Sequence, residues 1–151
     1  MMRIYLLLTC LLIGASLRAQ TAEDSVKAVI ESFFAGMNRS DTVAIKAVFA
    51  ENAVLQTIGR DKSGALKVQD EKLAGFLKSI GATKSGSLDE RITFSSVLID
   101  GPMASVWTPY NFYYEGKFSH CGVNSFQLVR WNNGWKIQYV IDTRRRDGCT
   151  Q

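Results

Sequence analysis

The sequence predicts one α+β domain in which three N-terminal helices pack on a strongly curved antiparallel sheet. Its 151 residues are enough for one domain of usual size and too few for two. Apolar residues recur at helical spacing in the first half, whereas β-branched and aromatic residues fill long segments of the second half. Asp100-Gly101, Gly116-Lys117 and Asn133-Gly134 divide those segments, and such pairs between apolar runs predict hairpins.

The helices are expected in the first half of the chain. Thr21-Ala22-Glu23-Asp24 has the form of a capping box, Asp41 can cap a second, shorter helix, and Gly81 ends a third. Between the second and third helices, residues 54–58 predict a strand and the polar residues 59–67 predict a loop. The apolar positions of the helices are Val26, Val29, Ile30, Phe33, Met37, Ala44, Ile45, Val48, Phe49, Leu73, Phe76, Leu77 and Ile80.

A four-stranded antiparallel meander is expected over residues 89–99, 103–115, 118–131 and 135–146. Strands of this length twist and curve, so the helices should cover the concave side of the sheet. Pro109 lies within the second strand, which is typical of a sheet edge or a bulge because proline donates no ladder hydrogen bond.

Residues 1–19 have the pattern of a secretory signal peptide. Arg3 precedes the apolar run 4–13, and Ala19 follows as a small residue at a cleavage site. The run is shorter than the roughly 20 residues of a membrane-spanning helix. We expect an exported protein, periplasmic or extracellular, with a mature domain of residues 20–151 and no membrane span. A lipoprotein anchored at Cys10 is the alternative.

The charge of the mature chain is small. Removing the leader takes away two of the 18 basic residues, Arg3 and Arg18, and leaves 16 against 14 acidic residues. A net charge of +2 is too small to attract nucleic acid through bulk electrostatics, so no nucleic-acid partner is expected.

Three segments carry a family resemblance: residues 29–41 (VIESFFAGMNRSD), 48–55 (VFAENAVL) and 129–142 (VRWNNGWKIQYVID). They resemble the nuclear transport factor 2-like (NTF2-like) superfamily, the cone-shaped, cystatin-like fold of ketosteroid isomerases, scytalone dehydratase and polyketide cyclases. The resemblance covers about residues 22–145, and residues 106–123 also look like secreted bacterial members with no assigned reaction. The fold hosts many chemistries, so the resemblance implies the architecture and not the reaction.

The resemblance places the isomerase groups of the family at three positions of this chain. Phe33 stands at the tyrosine position, Thr57 at the position of the aspartate base, and Asn124 near that of the second acid. A phenyl ring and a threonine hydroxyl cannot abstract a proton beside a carbonyl at neutral pH. The chain is therefore not expected to be a ketosteroid isomerase, although these positions remain candidates for ligand binding.

His120 is the single histidine and the candidate general base. Alternation along residues 118–131 puts it on one face with Asn124 and Phe126, and the resemblance turns that face toward the interior. The alternative is a buried structural histidine. No cysteine or acid lies near it at ligand spacing, so neither a metal nor another cofactor is expected. Ser119 and His120 should point to opposite faces and form no nucleophile–base pair.

Aromatic and charged residues supply the remaining candidates for the site. Tyr110 and Phe112 share one strand face and either line a ligand pocket or belong to a core or interface. A hairpin at Asn133-Gly134 would put Asn124 opposite Thr143 and Arg145 beside Gly122. A register slip of one residue would put Asp142, Arg144 and Arg146 on that face instead. These charges form either an anion-orienting rim or a solvated terminus.

Cys121 and Cys149 are expected to form a disulfide. An even pair of cysteines in an exported protein favours a bridge, and Gly148 allows the chain to turn back toward Cys121. The alternative is a buried thiol at Cys121 and a free thiol at Cys149.

Three functions fit these observations: binding of a small apolar or aromatic ligand without turnover, a dehydratase, cyclase or isomerase using His120 as general base, and a protein-interaction domain. A homodimer through the outer sheet face is also expected, because that face carries more apolar surface than a monomer normally exposes. The residues of this outer face are Trp107, Tyr113, Val123, Val129 and Trp131.

Export predicts that the protein isolated from its native host begins near Gln20. N-terminal sequencing measures this directly. A chain that begins with Met1 in the cytosol would contradict the prediction.

Overall fold

A computed structural model describes residues 21–149, so the predicted leader and its cleavage site lie outside the described residues. The described residues form three helices and seven strands. The helices are α1 (Ala22–Arg39), α2 (Thr42–Val48) and α3 (Leu73–Gly81). The strands are β1 (Phe49–Arg60), β2 (Leu66–Glu71), β3 (Leu88–Ile92), β4 (Ser96–Asp100), β5 (Met103–Tyr114), β6 (Lys117–Trp131) and β7 (Gly134–Arg145).

The two predicted helix caps are confirmed. The Thr21 hydroxyl accepts a hydrogen bond from the Asp24 amide at 3.0 Å, and the Asp24 carboxylate accepts one from the Thr21 amide at 3.2 Å. Asp41 accepts from the Ala44 amide at 2.9 Å at the start of α2. Each cap satisfies amide groups that have no partner within their helix, so the short α2 has a defined beginning.

The strands form one curved sheet in the order β2-β1-β7-β6-β5-β3, with β4 also paired to β5. The expected antiparallel sheet is in fact mixed, because β1 pairs with β7 in parallel. Parallel neighbours need a long crossover, which β2, α3 and the meander provide here. The α+β architecture itself is confirmed.

Two strand predictions were wrong. Residues 59–67, expected as a loop, include the end of β1 and the start of β2, which pair from Leu55↔Glu71 to Arg60↔Leu66. The tight turn between them is held by Asp61, whose carboxylate accepts from the amides of Ser63 and Ala65. The expected strand 89–99 is divided into β3 and β4. The sequence pattern missed the hairpin because its strand β2 is exposed along its whole length and carries only two apolar residues, Leu66 and Val68.

Pro109 lies where the chain passes from β3 to β4 along the edge of β5. The Thr93 amide donates to the Pro109 carbonyl at 2.9 Å, beyond the last β3 pair and before the first β4 pair. Because proline has no amide hydrogen to offer, the break between β3 and β4 falls where regular pairing would leave a carbonyl without a donor.

The core lies between α1 and the concave face of the sheet. Phe126 is completely buried there, with its ring centroid 6.2 Å from that of Phe33 and 6.1 Å from that of Phe34. Such aromatic contacts bury large apolar areas and fix α1 across the strands. The other completely buried core side chains are Val26, Ile30, Ile45, Leu128 and Ile137.

Near its turn, the β6–β7 pairing is shifted by two residues from the hairpin expected at Asn133-Gly134, and beyond a bulge it is shifted by one. Trp131 pairs with Gly134, so Asn132 and Asn133 form the turn. A bulge between Gln127 and Leu128 then shifts the pairing by one residue, and Asn124 lies opposite Asp142. The expected pairing of Asn124 with Thr143 was wrong, and the one-residue slip is what the structure shows.

The disulfide between Cys121 and Cys149 is confirmed. The two α-carbons are 5.8 Å apart, and Cys121 is buried under the C-terminal segment that the bridge holds. Cys121 pairs with Arg145 in the sheet, one residue from the expected partner Arg146. Among residues 21–149, no helix is long and apolar enough to cross a membrane.

Breaking the bridge with Cys149→Ala should lower the free energy of unfolding by about 3 kcal/mol, because the unfolded chain regains the entropy of a loop spanning 28 residues. Urea denaturation of the oxidised protein and of the variant measures the difference. A reductant should destabilise the wild type and leave the variant unchanged. Two titratable thiols in the unreduced wild type would contradict the prediction.

Candidate functional site

A cavity of about 210 Å³ lies between the helices and the concave face of the sheet. The helices line it with apolar side chains, and the strands contribute both apolar and polar ones. The apolar lining consists of Phe33, Phe34, Met37, Leu55, Phe76, Ile80, Leu88, Phe112 and Val140. The polar lining consists of Gln56, Thr57, Glu71, Glu90, Tyr110, His120, Asn124, Asp142 and Arg144.

Asp142 is the centre of the polar lining. Its carboxylate accepts hydrogen bonds from the Thr57 hydroxyl at 2.6 Å, the Arg144 Nε at 2.8 Å and the Tyr110 hydroxyl at 3.3 Å. Arg144 also donates from Nη2 to the Thr57 hydroxyl at 3.2 Å. The guanidinium thus compensates the charge of Asp142 within the protein, and β1, β5 and β7 are tied together at this point.

Tyr110 reaches Asp142 because Gly122 lies beneath its ring. The tyrosine is on β5, directly opposite Gly122 of β6, and its hydroxyl crosses to β7, where it also donates to the Thr143 carbonyl at 2.9 Å. A Cβ at position 122 would lie 2.8 Å from the ring and hydroxyl of Tyr110 and would overlap the Thr143 carbonyl. Burial raises the pKa of Tyr110, so its hydroxyl stays protonated and acts as a donor.

Glu90 faces Asn124 across the cavity. The Asn124 amide nitrogen donates to a carboxyl oxygen of Glu90 at 2.9 Å. Burial of the carboxyl group raises its pKa from 4.5 to about 7; the hydrogen bond from Asn124 opposes this rise, and the nearby charge of Asp142 adds to it. Glu90 is therefore protonated in part of the molecules at neutral pH and can give or take a proton there.

His120 lies at the polar end between two aromatic rings. Its ring centroid is 5.7 Å from that of Tyr110 and 5.0 Å from that of Phe112. Burial lowers its pKa, and the positive charge of Arg144 lowers it further, so the imidazole is neutral at pH 7. A neutral imidazole can accept a proton.

The Ser119 hydroxyl lies 3.1 Å from Nδ1 of His120. The expectation that these two side chains point to opposite faces was wrong. A bulge lets Tyr113 pair with Phe118 while Phe112 pairs with His120, which leaves Ser119 without a partner in β5. Strict alternation is lost at a bulge, so neighbouring side chains can meet. The contact holds the imidazole ring in place.

Most of the candidate binding residues line the cavity, and two do not. Phe33, Thr57, Tyr110, Phe112, His120 and Asn124 are all in its wall. Phe126 lies in the closed core. Arg145 is exposed; its neighbour Arg144 is also largely exposed but reaches the cavity, because beyond the bulge the register places Val140, Asp142 and Arg144 on this face.

Sequence reasoning missed Glu90 and gave Asp142 only as the alternative of a register slip. One signal for Glu90 was available, because Leu88, Glu90 and Ile92 lie on the same face of one strand. An acid between two apolar residues on such a face is costly to bury unless it is paired, so it indicates a partner or a functional role. Within the described part of the chain, no group of three or more histidine, cysteine or acidic side chains could hold a metal ion.

Solved structures with the same architecture are numerous. One is an NTF2-like protein of unknown function from Shewanella baltica OS155, with a TM-score of 0.65, 15% identity, and 82% of this chain matched to 93% of that one. Another, from Novosphingobium aromaticivorans, is an NTF2-like protein with a cystatin-like fold; it has a TM-score of 0.66, 13% identity, and 84% of this chain matched to 83% of that one.

The chain has the NTF2-like fold. No family model matches the sequence, and no curated protein matches it significantly. An NTF2-like protein from Streptomyces avermitilis, provisionally assigned as a dehydratase, matches with a TM-score of 0.60 and 15% identity over 82% of this chain and 95% of that one. At this identity the similarity establishes the NTF2-like fold, and the chemistry has to be argued from the cavity.

The pKa of Glu90 predicts a pH-dependent stability. Below its ordinary pKa of 4.5 the carboxyl is protonated in the folded and unfolded states alike. As the pH rises toward about 7, only the folded state keeps the proton, so the free energy of unfolding should fall by roughly 3 kcal/mol.

Glu90→Gln should remove this fall, since the amide still accepts from Asn124 and does not ionise. Denaturation between pH 5 and about pH 8 measures the effect, with Glu51→Gln, at an exposed position, as the matched control. Equal pH dependence in the wild type and Glu90→Gln would contradict the assignment.

Proposed function

We propose that this protein binds a small molecule in its internal cavity. The observation that carries the proposal is the composition of the cavity wall, where aromatic side chains face a cluster of oriented polar groups. Ligand sites combine these two features, since the apolar wall supplies affinity and the few polar groups fix orientation. An apolar cavity of about 150 Å³ accommodates benzene, so 210 Å³ suits one ring with a short substituent.

A second candidate function is an enzyme of the dehydratase, cyclase or isomerase type, favoured by a particular arrangement of carboxyl groups. Thr57 and Asn124 stand where the resemblance places the acids of isomerases, and each is hydrogen-bonded to an acid on another strand, Asp142 and Glu90 respectively. A carboxyl group with a pKa of about 7 and a neutral imidazole at His120 can both serve in proton transfer.

If the protein is an enzyme, replacing His120 by glutamine should abolish product formation and leave ligand binding intact. If binding alone is the function, the cavity ligand is recovered unchanged after incubation with the wild type. Mass spectrometry of the recovered ligand separates the two cases.

Export and dimerisation are part of the proposal. The Cys121–Cys149 bridge suits an oxidising compartment, periplasmic or extracellular. Trp107 and Trp131 on the outer sheet face are 50% and 54% exposed, which supports a homodimer through that face or, as a third possibility, a partner protein there. Light scattering that gives the monomer mass at about 50 µM would contradict the homodimer.

Ligand binding is tested with single-ring fragments observed by NMR. The ring signals of His120 are a specific probe, because His120 is the only histidine and lines the cavity. We expect binders that shift these signals and compete with one another. Leu88→Phe places a larger ring in the cavity wall and should weaken binding about tenfold or more.

The matched control is Leu98→Phe, the same substitution at a position that is 66% exposed and outside the cavity. It should leave fragment binding unchanged. Fragments that never shift the His120 signals, or that bind equally well to Leu88→Phe, would overturn the proposal.

A further inference from the structure

The geometry points to a compact organic cation, an amine carried on a single apolar ring, as the ligand of this cavity, with Glu90 as its counter-ion. This inference rests on the proposed binding function and names the chemical class of the ligand. It follows from the distribution of charge in the cavity wall, from the contacts of its one guanidinium, and from the aromatic rings around Glu90.

The charges of the lining are predominantly negative. Three carboxyl groups, those of Glu71, Glu90 and Asp142, line the cavity with one permanent cation, Arg144. His120 is mostly uncharged at neutral pH because its pKa is lowered by burial and by Arg144. A cation entering the cavity is therefore attracted, and an anion is repelled, once Glu90 is ionised.

The guanidinium of Arg144 is already engaged. Its Nε donates to Asp142 at 2.8 Å and its Nη2 donates to Thr57 at 3.2 Å. Three of its five N–H donors stay free of partners among the described residues, but an anionic ligand would share the positive charge with Asp142, which already offsets it. The arrangement thus favours a cation over the carboxylate or phosphate that an anion-orienting rim would bind.

Two of the three carboxyl groups have no compensating cation in direct contact within the described part of the chain: Glu71, which is exposed, and the less exposed Glu90. Among residues 21–149 Glu90 accepts a hydrogen bond from Asn124 and takes part in no salt bridge. An ammonium group beside it would supply both the missing charge and hydrogen-bond donors. The partly buried carboxylate has already lost part of its hydration in the folded protein, so its attraction for an ammonium group is offset mainly by the desolvation of the ammonium itself.

The rings around the cavity suit both ends of such a ligand. Phe33 and Phe76 contact each other on the helical side, with ring centroids 5.9 Å apart. Tyr110 and Phe112 lie on the strand side with Glu90, which pairs directly with Phe112. The faces of aromatic rings attract cations, and the same rings pack against an apolar body.

Binding should depend on pH through Glu90. The charged or titratable groups that face it are Asp142 and Arg144 from β7, His120 from β6, Tyr110 from β5 and Glu71 from the end of β2. An ammonium group favours the ionised carboxylate, so binding below pH 7 has to release the Glu90 proton. Affinity for an amine that stays protonated over this range should therefore rise from pH 6 to about pH 8, and about one proton per ligand should leave at the lower pH.

Three single-ring probes of similar size test the inference: benzylamine, which is a cation, benzyl alcohol, which is neutral, and benzoate, which is an anion. Isothermal titration calorimetry at about pH 8 gives the affinities, and the His120 ring signals report that binding is in the cavity. We expect benzylamine to bind at least about tenfold more tightly than benzyl alcohol, and benzoate to bind most weakly. Calorimetry at pH 6 in buffers of different ionisation enthalpy measures proton release.

Glu90→Gln provides the decisive comparison, with Glu51→Gln as its control. The glutamine keeps the acceptor for Asn124, so the fold should be retained, and benzyl alcohol affinity should be unchanged as a check of the cavity. Benzylamine affinity should fall about tenfold or more, and its pH dependence should disappear. Glu51→Gln should behave like the wild type.

The outcomes separate the two proposals. If benzyl alcohol or benzoate binds at the His120 site as tightly as benzylamine or more tightly, the proposal of a cationic ligand is overturned. The proposed binding function is then still supported. Unchanged benzylamine binding by Glu90→Gln overturns Glu90 as counter-ion. If neither these three probes nor the single-ring fragments shift the His120 signals, the binding function fails together with the inference.

Discussion

The hydrogen bonds accepted by the Asp142 carboxylate are the interactions on which the polar end of the cavity depends. The carboxylate accepts them from side chains of β1, β5 and β7, and one of these donors, Arg144, also compensates its charge. Removing any one partner would leave a partly buried charge with fewer donors, which is costlier than never burying it. The network therefore keeps three strands at fixed separations around a space that apolar packing alone would tend to close.

Gly122 makes this arrangement possible. A tyrosine on β5 can reach β7 only if the intervening strand presents no side chain, and position 122 is where the ring crosses β6. The same crossing buries one side of the Tyr110 ring against the backbone, which fixes the direction of its hydroxyl. Strand order and one glycine thus decide which polar groups meet at the end of the cavity.

The sequence predicted the parts of this fold that depend on local chemistry. The caps at Thr21 and Asp41 were confirmed because they depend on residues three positions apart, and the Cys121–Cys149 bridge followed from parity and a nearby glycine. The β6–β7 register was missed because two turns, Asn132-Asn133 and Asn133-Gly134, were both plausible. A bulge at Gln127 then changed the offset again. Because of this one-residue error, the expected register placed Arg145 at the site, where the structure has Arg144.

Other parts of the site could not be predicted because they depend on contacts across the sheet. Thr57 and Asn124 were recognised as positions without acids, and each is hydrogen-bonded to an acid on another strand, Asp142 and Glu90 respectively. The residue pattern within one strand does not indicate which side chain of another strand it will bind. Ser119 and His120 likewise meet only because a bulge interrupts the alternation on which their separation was argued.

Glu90 differs in its energetics from the other carboxyl groups of the cavity. A glutamine at this position would accept the same hydrogen bond from Asn124, and it would avoid the desolvation that raises the pKa of the carboxyl to about 7. The acid thus lowers stability at neutral pH without adding a contact that an amide could not make. Asp142 differs, since Arg144 offsets its charge within the fold. A carboxyl group that lowers stability at neutral pH without a compensating contact is a candidate for acting on a ligand or a proton.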